Sequence, residues 1–136
     1  MKSVLVDSSG FFAYLAGADP FHERAVALFQ RAKAERWRLF TTNAVVFETY
    51  ALLLYRTRNG RINALAFLDN IERGFCNIER LSAQDETRAG VILRAHEDKS
   101  YLLCDAASFA VMERLSIQEA IAFDRHFQEY GRFIIL

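Results

Sequence analysis

A three-residue apolar run, Val4-Leu5-Val6, passes straight into Asp7, two serines and Gly10, and a helix-like pattern begins at once. An apolar run this short, ended by polar groups rather than alternating with them, reads as a central strand buried on both faces of a sheet. In an open α/β sheet the ligand crevice lies at the carboxyl ends of the strands, and Asp7 stands there. The opening residues thus point to a parallel sheet with an acid at its working edge.

The rest of the chain alternates in the same way. Ser8 or Ser9 can cap a first helix to about Gly17, apolar at Phe11, Phe12 and Leu15. Asp19 as N-cap with Pro20 at the first helical position signals a second helix, with a stripe of Ala25, Leu28, Phe29 and Ala32. Arg38–Thr41 reads as a strand, and Thr42 or Asn43 caps a third helix to about Arg58. Asn59-Gly60 stops it, and a fourth helix runs from Ile62 to Arg73. Cys76–Leu81 alternates as a strand, and Ser82-Ala83-Gln84-Asp85 opens a fifth helix as a capping signature. After the Asp98-Lys99-Ser100 turn come a sixth helix from Asp105 to Leu115 and a strand from Glu119 to Phe123. A brief helix through Phe127 and a terminal strand Phe133–Leu136 close the chain. Strands alternating with helices imply parallel pairing with helices on both faces.

Composition narrows the possible functions. With 136 residues, 52% of them hydrophobic, one domain with a real core is expected over 1–136. Seventeen basic and seventeen acidic residues cancel, so any nucleic-acid binding must come from a local patch rather than bulk charge. No apolar run reaches the ~20 residues of a membrane helix, and no signal peptide is evident. Cys76 and Cys104 lack CxxC spacing and suit free thiols in a reducing cytosol, so a cytoplasmic location is expected.

Four acids carry the chemistry. Glu48 has Ala44, Val45, Ala51, Leu52 and Tyr55 as its helical neighbours, which puts it in the middle of an apolar stripe. An unpaired charge there would cost several kcal/mol unless something neutralised it. Asp105 is followed by Ala106 and Ala107, small residues that let backbone or ligand approach closely. Asp124 ends an apolar strand, as Asp7 does. Each aspartate taken alone reads equally well as a helix cap, and Glu48 as a protonated or arginine-paired core residue. All four directed at one rim of a parallel sheet are harder to explain as separate caps. Carboxylates ~4 Å apart repel, so the cluster needs a cation, and hard oxygen ligands select Mg²⁺ or Mn²⁺. The chemistry expected of such a centre is in-line hydrolysis of a phosphodiester.

These residues carry a resemblance. Val4–Ser9, Asn43–Thr49, Leu103–Met112 and Ala122–Phe127, in this order and spacing, resemble a PIN domain, and more closely the VapC-like toxin ribonucleases. The resemblance extends over essentially the whole chain, including Asp19–His22 and the Asp98-Lys99 turn. It implies an α/β three-layer sandwich with a five-stranded parallel sheet flanked by helices. It also implies a Mg²⁺- or Mn²⁺-dependent endoribonuclease, the toxin of a type II toxin–antitoxin pair. Asp7, Glu48, Asp105 and Asp124 match the family's acidic positions as catalytic residues and metal ligands, and Ser9 matches the hydroxyl that supports the first acid. Many relatives have a further acid two residues beyond the fourth, where this chain has His126; the second metal position is thereby left open.

His22, His96 and His126 are scattered and are read as non-ligands, and Phe109, Phe123 and Phe127 as packing. Arg56, Arg58 and Arg61 could contact RNA phosphates or simply complement helix dipoles. Arg31, Lys33, Arg36 and Arg38 read as a solvated face. The apolar width around Leu52, Leu53, Leu54 and Tyr55 implies a covered second face; by the resemblance, a homodimer or an antitoxin partner would cover it. The competing reading is a non-catalytic PIN-like module that binds RNA or protein. A phosphoacceptor receiver domain fits less well, because serines follow Asp7 and no lysine lies beyond Lys99. The acids alone do not distinguish a ribonuclease from a metal-dependent DNA nuclease or a phosphatase.

Overall fold

The computed structural model describes all residues, Met1–Leu136. Five strands form one parallel sheet in the order β3-β2-β1-β4-β5: β1 Ser3–Val6, β2 Arg38–Thr42, β3 Asn77–Glu79, β4 Glu119–Ile121 and β5 Ile134–Ile135. The helices are α1 Ser8–Leu15, α2 His22–Ala34, α3 Asn43–Arg56, α4 Gly60–Glu72, α5 Ala83–Ala95, α6 Leu103–Leu115 and α7 Arg125–Tyr130.

β1 is central, and its side chains alternate between two cores, as the period of a strand requires. Leu5 joins Ile92, Phe109, Met112 and Phe127 beneath α5, α6 and α7. Val4 and Val6 join Phe11, Phe29, Val45, Leu53 and Phe67 beneath α1 to α4. Val4, Leu5 and Val6 are fully buried, as the opening run implied for a central strand, and the helices on both faces make the three-layer sandwich.

The chain leaves β1 toward β2 on one side, and β4 returns on the other. The point where strand order reverses, between β1 and β4, is where such folds open a crevice. Gly10 lets α1 start close against β4: a Cβ there would stand 2.7 Å from the Ile121 carbonyl oxygen. Any larger residue would push α1 away and separate the ends of β1 and β4.

Several boundaries differ from expectation. The second helix starts at His22, because the Asp19 carboxylate accepts the Phe21 N–H at 2.8 Å and closes a turn instead of capping a helix. That turn ends α1 at Leu15 and leaves Pro20 outside both helices. α6 begins two residues early, at Leu103, which moves Asp105 from the cap into the first turn. The strands expected at Cys76–Leu81 and Glu119–Phe123 shrink to three residues each. Beyond Glu79 the chain leaves the ladder, and the Leu81 N–H is taken by the Asn43 side chain.

Candidate metal centre at the carboxyl end of the sheet

Asp7 is the N-cap of α1 and is completely buried. Its Oδ2 accepts the Ser9 hydroxyl at 2.8 Å and the Ser9 N–H at 3.3 Å. The Ser9 oxygen in turn accepts the Phe123 N–H at 2.9 Å, so one hydroxyl ties Asp7 to the chain leaving β4. Asp7 Oδ1 is buried with no hydrogen-bond partner. Burial holds this carboxyl well above the ordinary carboxylate range, and the charges of Asp124 and Asp105 add to the effect, against the lowering bond from Ser9.

Asp124 caps α7, accepting the N–H groups of His126 at 3.0 Å and Phe127 at 3.4 Å. Asp105, also buried, accepts the Leu102 N–H at 2.9 Å. Its pKa is raised to about 6, first by burial and then by Asp124 and Glu48, against the Leu102 N–H and His126, which lower it. Three helix starts thus present carboxylates to one point, and their capping bonds leave the charges mutually repelling.

Glu48 reaches the site differently from the sequence reading. The core-facing residues of α3 are Val45, Val46, Thr49 and Leu53; Ala51 and Tyr55 are exposed. Glu48 is half-buried at the border of that face, and its Oε1 accepts the Ser8 hydroxyl. It lines the cleft instead of sitting in the middle of an apolar stripe, so water and a ligand reach it.

His126, read as a non-ligand, lies inside the cluster: its Nδ1 is 2.8 Å from Asp105 Oδ2. One ligating atom each from Asp105, Asp124 and His126 fall within 4.8 Å of one another. The sequence signal for it was its place two residues beyond Asp124 at the start of a helix, where N2 side chains turn back over the cap. Its ring packs edge-on to Tyr101, which fixes its plane. His22 and His96 instead bond backbone carbonyls, of Ala13 and Ile92, away from the acids.

The acids open into a cleft of about 360 Å³ that Leu52, Phe12, Phe21 and Phe123 also line. Arg56 lines it as well, while Arg58 and Arg61 are exposed elsewhere and do not. Phe123, expected as packing, is half-buried on the cleft wall. Cys104 sits beside Glu48, and burial pushes its thiol up, so it adds no thiolate to the ligand set. A larger hollow of about 700 Å³, near Trp37 and Cys76, contains no carboxylate.

The donor set fits a hard divalent cation. Asp7 Oδ1 is an orphaned buried oxygen, and the Asp7 and Asp105 carboxyls are raised first by burial and then by neighbouring carboxylates, an environment that favours a bound cation. Residues 4–133 match the family model described as the PIN domain. A VapC ribonuclease of Archaeoglobus fulgidus is 31% identical over 92% of this chain and 79% of its own. The 23S rRNA-specific endonuclease VapC20 of Mycobacterium tuberculosis is 34% identical over 94% of both chains. The crystal structure of that toxin, described as cleaving the sarcin-ricin loop, superposes with a TM-score of 0.85 over 98% of each chain. VapBC2 from Rickettsia felis, at 12% identity over 98% of this chain and 97% of its own, shares the fold with a TM-score of 0.69.

Proposed function

Because the chain belongs to the PIN domain family, we propose that it is an RNA-cleaving hydrolase of the VapC kind, an endoribonuclease working with Mg²⁺ or Mn²⁺. The observation that carries this reading is the buried, unpartnered Asp7 Oδ1, on a carboxyl that feels the charges of Asp124 and Asp105 at the sheet's switch point. Asp7, Glu48, Asp105 and Asp124 would hold the ion. When bound, it would polarise the scissile phosphodiester, lower the pKa of a water and steady the leaving oxygen. The protein's own part is positioning. Ser9 and the cap bonds fix Asp7 and Asp124, Ser8 fixes Glu48, and His126 holds Asp105. Arg56, which also lines the cleft, would take a phosphate of the bound strand.

The partners follow from the same reading: an RNA substrate, an antitoxin protein and a second copy of the chain. No helix is long and apolar enough to cross a membrane, and a cytoplasmic location suits an enzyme acting on RNA. Phe47, Tyr55 and Ile62 on α3 and α4 are 75%, 83% and 70% exposed, an apolar face that a homodimer would cover.

The test is cleavage of a pool of structured RNAs with Mg²⁺, with Mn²⁺ and with EDTA, beside Asp7→Asn, with Mn²⁺ binding followed by electron paramagnetic resonance. Cutting that needs the metal and disappears in the variant is the expected result. Folded protein that neither cuts RNA nor binds Mn²⁺ would overturn the reading in favour of a binding module.

A further inference from the structure

Beyond the metal centre, and resting on the ribonuclease reading, we infer that Phe21 and Phe123 form a stacking subsite for one unpaired base beside the scissile phosphate, with Arg24 and Arg125 holding the adjoining backbone. The two rings lie 5.1 Å apart and 12° from parallel. Phe123 immediately precedes Asp124, and the Ser9 hydroxyl accepts its N–H, so this ring is anchored to the acidic cluster itself. Phe21 is held on both sides. Asp19 accepts its N–H at 2.8 Å, and the next residue, His22, bonds the Ala13 carbonyl. Yet 43% of Phe21 remains exposed, on a loop already fixed by those bonds and not in need of an aromatic anchor.

The ring pair separates two hollows of opposite character. On one side lies the cleft with Glu48, Asp105 and Asp124; on the other lies a hollow of about 200 Å³ lined by Arg24, Arg125 and Gln128. The Arg24 guanidinium stands 5.8 Å from the Phe123 ring centre, and its only hydrogen bond is a long one, 3.4 Å, to the Leu136 carbonyl. Arg125 is 74% exposed and paired only with Glu129, four residues on, at 3.5 Å. Such surface pairs contribute little and yield readily to a phosphate.

An acidic centre, an aromatic ridge and two lightly held guanidiniums in sequence match the chemistry of a nucleic-acid strand. One phosphate would lie at the acidic centre, the next base on the ring, and the following phosphates on the arginines. A base within a duplex has both faces covered by its neighbours, so the ridge selects an unpaired nucleotide. An apolar peptide would bury the ring and leave both arginines without a counter-charge.

The experiment measures binding of fluorescent single-stranded and duplex RNA to the full chain with Ca²⁺ in place of Mg²⁺, the RNA being checked as intact on a gel. Phe21→Ala is expected to weaken single-strand binding roughly 5–100-fold, the range for loss of one base stack, and to change duplex binding much less. Phe21→Trp should keep the affinity, with its added emission quenched by RNA. Arg24→Gln with Arg125→Gln should reduce the slope of log affinity against log salt by about 1.4, as expected for two lost contacts to a single strand. Phe21 is on the surface, so an unchanged melting temperature will certify each variant. Wild-type single-strand affinity in Phe21→Ala, or an equal loss for duplex, would overturn the subsite while leaving metal-dependent cleavage intact. Failure of the wild type to bind single strands would overturn the subsite too; failure to cleave any RNA would count against the ribonuclease reading itself.

Discussion

Asp85 and Asp105 occupy the same place in adjacent helices and behave in opposite ways. Each is the third residue of its helix, each is almost fully buried, and each accepts the N–H of the cap residue at 2.9 Å. Asp85 also receives Arg114 in a two-pronged bond, Nε at 2.8 Å and Nη2 at 2.9 Å, and Arg114 further pairs with Glu79. The Arg114 guanidinium holds the Asp85 carboxyl below its usual range. Asp105 has no arginine: burial, with the charges of Asp124 and Glu48, raises it to about 6 against the Leu102 N–H and His126. Helix position and the bond to the cap N–H are the same; the cap residue, Ser82 against Leu102, and the company each acid keeps are not. The first arrangement closes a structure, and the second favours uptake of a proton or a cation by its crowded carboxyls.

The largest expected effect breaks this symmetry at the level of function. Asp105→Asn keeps an acceptor for the Leu102 N–H but removes a charge from the centre, and RNA cleavage should fall by at least about 10²–10³-fold, the scale for losing one preorganised charge. Asp85→Asn should leave the cleavage rate within about twofold, since Asp85 pairs with Arg114 and takes no part in the cleft. It should instead lower unfolding stability by about 1–3 kcal/mol through loss of its charged hydrogen bonds. Rate constants and urea midpoints measured on the same two preparations check both. A large activity loss in Asp85→Asn would remove the distinction.

Much of this was legible in the sequence, because the fold and the acids are both written locally. Val4-Leu5-Val6 could be buried on both faces only in a parallel sheet, and Asp7, Asp105 and Asp124 all sit where strand or loop gives way to helix. What stayed hidden depended on contacts distant in sequence. Asp19-Pro20 has every local mark of a helix start, yet its carboxylate closes a turn that carries Phe21 to Phe123, a hundred residues away. Glu48 appeared central in an apolar stripe because exposed Ala51 and Tyr55 read the same as buried ones. Nothing local in the sequence shows that Asp105 stands 2.8 Å from the His126 ring.

The next effect in size is the pH dependence of stability, and its sign differs at the two aspartates. In the folded, metal-free protein burial raises the Asp105 carboxyl to about 6, against an ordinary value of about 4. Between these values the native state holds more protons than the unfolded one, so stability falls as pH rises from about 4 to 6, by on the order of 2–3 kcal/mol. Asp85 works the other way: its contribution is present above the unfolded value and is lost as pH falls through its lowered native value. Asp105→Asn should flatten the decline between pH 4 and 6, and millimolar Mn²⁺ should abolish it in the wild type by stabilising the ionised cluster. Urea titrations across pH 3–8, with EDTA or Mn²⁺, measure this. A metal-free protein that becomes more stable from pH 4 to 6 would show that burial and neighbouring charge do not raise the Asp105 carboxyl.

The smallest expected effect compares the serines beside these acids. Ser82 accepts the Asp85 N–H at 3.1 Å while Asp85 accepts the Ser82 N–H at 2.9 Å, a closed exchange at the start of α5. Ser9 instead spans two segments, donating to Asp7 and accepting from Phe123. Ser82→Ala removes an ordinary cap and should cost about 1 kcal/mol of stability with no change in cleavage. Ser9→Ala should cost a similar amount, because it leaves the Phe123 N–H without its acceptor. It also removes a bond that favours ionised Asp7, so that carboxyl rises further and holds a cation less readily. A weaker metal should then appear as a higher Mn²⁺ concentration for half-maximal cleavage, roughly 10–100-fold by the usual effect of removing a ligand's supporting bond. Cleavage restored by excess Mn²⁺ in Ser9→Ala, but not in Asp105→Asn, would separate the residue that orients a ligand from the ligand itself.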